Sequence, residues 1–474
     1  MKGKGSIYLT TTLPYVNGKP HMGHALEFVQ ADVIARYKRA VGFDVFFNTG
    51  TDEHGLKIYR MAEAEGIPVQ EYVDRNAKVF DDFRHQLNLS FDNFIRTTDP
   101  HHLASAQEFW KICLKNGDIY KKMYSIKYCV GCELEKTDSE LINGECPIHP
   151  GKKIENIEEE NYFFRFSKYQ QPLLDLYAKK PDFVIPESRM HEIARFVEDG
   201  LKDFSISRIK EKMPWGVSVP DDDAHAMYVW FDALVNYISA IGWPTDMEKF
   251  QTWWPVIQFA GKDNLRQQSA MWQAMLLSAD LPPSEKIIIH GFVTSKGQKM
   301  SKSIGNVVDP LDIVAEYGVD ALRYYLVREI STFEDGDFTD EQFKAAYNAN
   351  LANGIGNLTA RIMKMAETHL TSPVPLSSGE FPQEFRDALD VFDVQKAANV
   401  VWEYIGKLDR YIQETQPFKL IKENKGEGVT VIEKLVADLH EIGLMLAPFL
   451  PETAEKIITA IQGNNMPESL FVRK

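Results

Sequence analysis

Residues 13–27 read LPYVNGKPHMGHALE, with two histidines, His21 and His24, set around Gly23 where one periodicity gives way to another. Upstream, IYLTT (7–11) is β-branched and aromatic, the composition of a strand. Downstream, Leu26, Val29, Val33 and Tyr37 fall three or four apart, while Glu27, Gln30, Arg36 and Lys38 take the other face, which is an amphipathic helix. DVFFN (44–48) is strand again, followed by the polar loop TGTDEHG. Strand, loop, helix, strand is a βαβ unit, so the expected class is α/β with a doubly wound parallel sheet. Such sheets bind ligands where a strand end meets the next helix, and there the helix dipole attracts phosphate. Three readings compete for the histidines. Two imidazoles are too few for a metal, and no carboxylate pattern completes them. A capping or core pair is the plain alternative. The third reading makes them donors to a phosphate, with Gly23 letting a base or ribose approach the backbone.

At 474 residues the chain exceeds one hydrophobic core, so about two to four domains are expected. The βα rhythm breaks over residues 116–216. It resumes at VIQFAGKD (256–263), a helix to about residue 279 and KIIIHGFV (286–293). Beyond residue 340 the helical stretches, about 340–368, 384–416 and 430–461, predict an all-α bundle, with TSPVPLSSGEFPQ (371–383) as a loop. The expected division is 1–115 and 217–293 for the two halves of the sheet domain, 116–216 for an insertion, 294–345 for a linking segment and 346–474 for the bundle. No apolar run approaches the ~20 residues of a membrane span. The start, MKGKGSIYLTTT, lacks a signal peptide's apolar stretch. A cytoplasmic protein with no membrane partner is expected. The net charge of −15 excludes indiscriminate coating of nucleic acid but not local basic contacts.

CVGCELEKTDSELINGECPIH (129–149) places Cys129, Cys132, Cys146 and His149 as C-x2-C, thirteen residues, then C-x2-H. Two close pairs of soft or borderline ligands suit a closed, structural tetrahedral zinc. Three of the chain's 4 cysteines fall in this spacing, which is no disulfide scaffold. Cys113, outside it, reads as a buried helical thiol.

SKGQKMSKSIGN (295–306) sets Lys299 and Lys302 in a short loop after a strand. Mobile lysines there suit a pyrophosphate leaving group, whose growing charge they can meet by moving. HMGH and KMSKS resemble the two signatures of class I aminoacyl-tRNA synthetases. TTLPYVNGKPHMGHALE, GTDEHGLKI, YVWFDAL, GKDNLR and HGFVTSKGQKMSKS sharpen the resemblance to the methionyl-tRNA synthetase family over nearly the whole chain.

That resemblance implies a Rossmann-like nucleotide-binding domain interrupted by a zinc-bearing module in its single-knuckle form, with His149 as fourth ligand, and an α-helical anticodon-binding domain. It implies methionine activation by ATP with magnesium, then transfer of methionyl to the 3′ end of initiator and elongator methionine tRNAs. Catalysis falls to His21, His24, Lys299 and Lys302. ATP falls to Gly23, Glu27, Gly261, Asp263 and Val293, with Lys302. Leu13 and Asp52 take methionine's amino group, and Tyr15, Trp230, Leu234, Tyr237 and His290 shape the side-chain pocket. GNLTARIMK puts Asn357, Arg361 and Lys364 on one helix face. The family reads its anticodon with that asparagine and arginine, and usually with a tryptophan where Phe418 stands. Bundle core is the other reading of Phe418. Met22 replaces the usual isoleucine of the first signature, Leu234 stands where relatives often have proline or a small residue, and Gln268 where many have histidine. The chain stops at Lys474 without the dimerising extension of some relatives, so a monomer is expected. The rivals are a synthetase for cysteine or an aliphatic amino acid, and a non-catalytic tRNA-binding paralogue.

Overall fold

The computed structural model describes residues 4–132, 134–136, 140–299, 308–376 and 380–474. They form two compact units. The first comprises Met1–Pro20, Asp44–Phe83 and Phe91–Ile289, and the second His21–Phe43, Arg84–Ser90 and His290–Lys474.

The first unit is built on a six-stranded sheet in the order Asn93–Arg96, Asp44–Thr51, Ser6–Thr10, Val256–Gly261, Lys286–His290, Val184–Ile185. Ser6–Thr10 runs parallel to both neighbours, with Tyr8 opposite Phe46 on one side and Val256 on the other. Tyr8 and Leu9 are fully buried, as expected of a parallel strand covered on both faces. Phe109 anchors an aromatic core, stacked on Trp272 at 5.7 Å and edge-on to Phe231 at 5.9 Å. Cys113 is buried in the helix Pro100–Lys115, and burial pushes its thiol up to about 12.

Within the expected insertion, Ile119–Cys129 pairs antiparallel with Ile154–Phe164 along its whole length, Ile119 opposite Phe164 and Cys129 opposite Ile154. The ladder therefore delivers Cys129 to its far end. The insertion is not contiguous, however. Val184–Ile185, inside residues 116–216, pairs parallel with Ile287 and Ile288 as the edge of the main sheet. Two residues are too short a strand to leave a period in the sequence.

The second unit is helical. Asn357–His369, Val394–Thr415, Lys425–Leu446 and Pro451–Gly463 bury Ile362, Val401, Leu435, Leu439 and Ile457 against one another. All three expected helical stretches are interrupted, the first at Gly354, where φ −86° and ψ −109° are not helical. Asp393 caps Val394–Thr415 by accepting from the Lys396 amide at 3.0 Å, after Phe392 at φ 63°. Pro451 starts a new helix after Leu446 because it has no N–H to continue the old one. The helix Met22–Ala40 belongs here, and Arg323 shows why. Its buried guanidinium meets Asp32 at 2.7 Å, the carbonyl of Leu87 at 3.1 Å, and those of Pro448 and Phe449 at 3.0 and 2.7 Å. Burial opposes the charge on Asp32, but Arg323 and Arg36 outweigh it and hold the carboxyl below its usual range.

Candidate active site

In the second unit, His21 is the N-cap of Met22–Ala40, in extended conformation. Its Nδ1 accepts from the Gly23 amide at 3.1 Å, and its own amide donates to His24 Nδ1 at 3.2 Å. The rings stack at 3.8 Å. A Cβ on Gly23 would lie 3.0 Å from the His21 ring, so glycine is what lets the imidazole fold over the first turn. Because both Nδ1 atoms accept, each ring carries its proton on Nε2. Burial and the adjacent imidazole push His24 well below its ordinary pKa. The capping reading and the donor reading are thus one arrangement: the cap sets the tautomer that leaves two neutral Nε2–H donors at a helix N-terminus.

One turn on, buried Glu27 meets buried His290, Oε2 to Nε2 at 2.9 Å, and His290 Nδ1 lies 2.7 Å from the Gly291 carbonyl. The ring is thus held between two oxygens, one at each nitrogen. The residue that the resemblance gave to the methionine pocket is therefore bonded to one it gave to ATP. Buried Val293 opens the strand Val293–Ser295, where Thr294 pairs opposite Lys299. Lys302 lies outside the described residues.

In the first unit, the Asp52 amide donates to the Pro14 carbonyl at 3.0 Å and the Val16 amide to the Asp52 carbonyl at 3.2 Å, which sets Tyr15 directly opposite Asp52. Trp230 stands edge-on to Tyr15 at 6.2 Å. Tyr15, Asp52 and Trp230 are so brought together. Tyr237 and Leu234 are buried, and the Tyr237 ring lies 5.9 Å from Trp272; Leu13 is half-buried. Gly261 ends its strand buried, and Asp263 is exposed in the following turn. Gln268 accepts from Gln258 at 2.8 Å within a buried amide network. Three residues that the sequence reading passed over stand beside these. Glu53, fully buried, accepts from Thr51 and Thr98 at 2.6 Å and from Arg96 Nε and Nη2 at 2.7 and 2.8 Å. His54 and Asp232, also buried, lie 3.2 Å apart. For Glu53 and His54 the one signal was the density of titratable groups in TGTDEHG, and Asp232 left none.

The same unit gathers the ligand atoms of Cys129, Cys132, Cys146 and His149 within 4.8 Å of one another. Cys132 Sγ lies 3.4 Å from Cys146 Sγ and 3.2 Å from His149 Nδ1. Ligands about 2.3 Å from a tetrahedral zinc would be spaced a little under ~4 Å, so the cluster fits a metal ion of that size and geometry. Gly131, unremarked in the sequence, makes room for it, since a Cβ there would come within 2.5 Å of the His149 ring. In the bundle, exposed Asn357 begins the helix that carries Arg361, and Arg361 donates to Asp409 at 2.6 Å. Phe418 is 49% exposed, so its ring is at the surface and not in the bundle core.

A family model described as tRNA synthetases class I (M) matches residues 7–156 and 150–363. The methionine–tRNA ligase of Thermotoga maritima is 41% identical over 97% of this chain and 76% of its own length. That of Thermosynechococcus vestitus is 43% identical over 95% of this chain and 88% of its own. The chain belongs to the class I methionyl-tRNA synthetase family. A solved structure of the Mycobacterium tuberculosis methionyl-tRNA synthetase in complex with methionyl-adenylate superposes at a TM-score of 0.89, with 36% identity over 98% of both chains. Membership in this family accounts for HMGH at a helix start and for the sequence KMSKS in one chain, and it sets aside the synthetases for cysteine or aliphatic amino acids. Among the described residues no helix is long and apolar enough to cross a membrane.

Proposed function

We propose that this chain joins L-methionine to ATP, forming methionyl-adenylate and pyrophosphate, and then passes the methionyl group to the 3′ end of methionine tRNAs in the cytosol. The observation that carries the reading is the stacked histidine pair, two neutral Nε2–H donors fixed at a helix N-terminus. In the first step a carboxylate oxygen of methionine attacks the α-phosphorus, and the bond to the bridging oxygen of pyrophosphate breaks. The substrate brings its own nucleophile, so the protein needs only to position and to stabilise charge. His21 and His24 donate to the α-phosphate, Lys299 and Lys302 meet the departing pyrophosphate, and magnesium accompanies ATP. Glu27 acts on the nucleoside with Gly23, Gly261, Asp263 and Val293, and His290, bonded to it, belongs with the residues that shape the methionine pocket. Leu13 and Asp52 hold the ammonium group, while Tyr15, Trp230, Leu234 and Tyr237 enclose the thioether, a polarizable group suited to aromatic neighbours. Cys129, Cys132, Cys146 and His149 hold one structural zinc; with four protein ligands no position is open for water. Asn357, Arg361 and Phe418 receive the anticodon.

The test is amino-acid-dependent exchange between ATP and pyrophosphate over a panel of amino acids. Exchange with methionine alone is expected. Exchange with cysteine or an aliphatic amino acid in its place would overturn the specificity, and no exchange with any would leave a tRNA-binding protein.

A further inference from the structure

Two of the segments that carry candidate methionine residues of the first unit are the turn 52–55 with Asp52, after the strand Asp44–Thr51, and the short helix Val229–Ala233 with Trp230. Beside them the turn buries His54, at 4% exposure, and the helix Asp232, at 0%, neither used by the adenylation chemistry. His54 Nδ1 lies 3.2 Å from Asp232 Oδ2. Both side chains are buried, so little water screens whatever attraction holds them. Burial pushes the Asp232 carboxyl up, and the His54 ring opposes the shift, with the Val217 backbone amide beside it.

The remaining faces of the loop are already taken. Glu53 is locked by Thr51, Thr98 and Arg96, its carbonyl accepts from Trp215 Nε1 at 2.6 Å, and the Gly55 amide donates to the Trp215 carbonyl at 3.2 Å. The Trp215 ring covers His54 at 5.6 Å. His54–Asp232 ties the loop to the segment bearing Trp230. We propose that the His54–Asp232 contact is a positioning element for the amino-acid pocket, fixing the turn that bears Trp230 against the loop that bears Asp52. Neither residue touches substrate. They act through Tyr15, which stands opposite Asp52 in the backbone pairing and edge-on to Trp230. Removing one partner leaves the other a buried polar group without its partner, and the segment relieves it by moving. A displacement of ~1 Å is enough to cost up to ~100-fold in a positioned reaction.

The inference rests on the pocket's taking methionine, and its test keeps the two apart. Asp232→Asn keeps the shape and removes the acid, while His54→Gln leaves the Asp232 side chain without its imidazole. Exchange kinetics and melting temperature are measured on both single variants and on the double. The expected result is a KM for methionine raised about tenfold in each single variant, with the KM for ATP within about twofold of wild type. The double variant should be no worse than His54→Gln, because the two residues act as one unit. If His54→Gln does not fold, Asp232→Asn and the double variant carry the same comparison. Unchanged methionine KM in the folded variants overturns the proposal. So does a joint loss of kcat and of both KM values that follows the melting temperature, the mark of a merely structural contact. A wild-type protein without methionine-dependent exchange would instead defeat the functional reading.

Discussion

Phe418 is a large apolar side chain left half in solvent on the short helix Pro417–Glu423, with the Lys419 ammonium 5.9 Å from its ring centroid. A cation beside an exposed ring is a ready surface for an unpaired base on a phosphate backbone. Base–aromatic stacking contributes about 1–3 kcal/mol, so Phe418→Ala should raise the KM for tRNA by roughly one to two orders of magnitude. Exchange activity and melting temperature should stay near wild type, since no core packing is lost. Phe418→Trp should be tolerated. A melting temperature several degrees lower with normal aminoacylation would end the stacking idea. A second residue-scale outcome concerns pH. His102 is fully buried against Ser239 Oγ at 3.0 Å, and burial, with His54 and His101 adding to it, lowers its pKa to about 3. The unfolded chain binds a proton at this residue near pH 6.5, the folded chain only near 3. Stability should therefore fall as pH drops from about 6.5 toward 3, the range in which only the unfolded state is protonated. Urea midpoints across that range should fall less steeply for a folded His102→Gln variant than for wild type. Parallel curves would remove His102 as a contributor.

At the scale of an element, the antiparallel ladder from Ile119 to Cys129 ends in the knuckle and depends on it, because the loop beyond has little apolar surface of its own to bury. Metal binding and folding of such a module are coupled. Protein purified without chelator should contain one zinc per chain, and Cys129→Ala should lower that content and loosen the insertion. Gly131→Ala makes a sharper point, since it leaves every ligand in place. Its methyl group would displace the His149 imidazole, so zinc affinity should drop while the thiol count is unchanged. Elemental analysis that finds full zinc in Gly131→Ala would show that the ring can move aside.

At the scale of the molecule, the second unit is joined across long sequence separations by one buried cation. Arg323 reaches Asp32, Leu87, Pro448 and Phe449, groups drawn from all three of that unit's chain segments. Truncating one partner of a buried pair costs about 3–5 kcal/mol, so Arg323→Met should lower the melting temperature well beyond the effect of a surface change. Asp32 has a depressed folded-state pKa, so its contribution is present above the unfolded value near ~3.9 and is lost as pH falls through the folded one. Arg323→Met should narrow the difference in stability between pH 7 and pH 3. An unchanged difference would mean that Arg36 alone holds the carboxylate.

What the sequence determined by itself was whatever lies close together along the chain. The change of period at His21, the C-x2-C and C-x2-H pairs, and the order of HMGH and KMSKS are local, and local spacing survives folding unchanged. From them came the parallel sheet, the knuckle ligands and the helical bundle. The tertiary structure decided what depends on distant segments meeting. The tautomer of His24 follows from a cap only the folded helix start provides, and the edge strand Val184–Ile185 exists only because Lys286–His290 lies beside it. Glu27 finds His290 across 263 positions, and His54 finds Asp232 across the fold. Buried charge carries no periodicity, so a sequence can display an aspartate and a histidine without revealing that burial has left each as the other's partner.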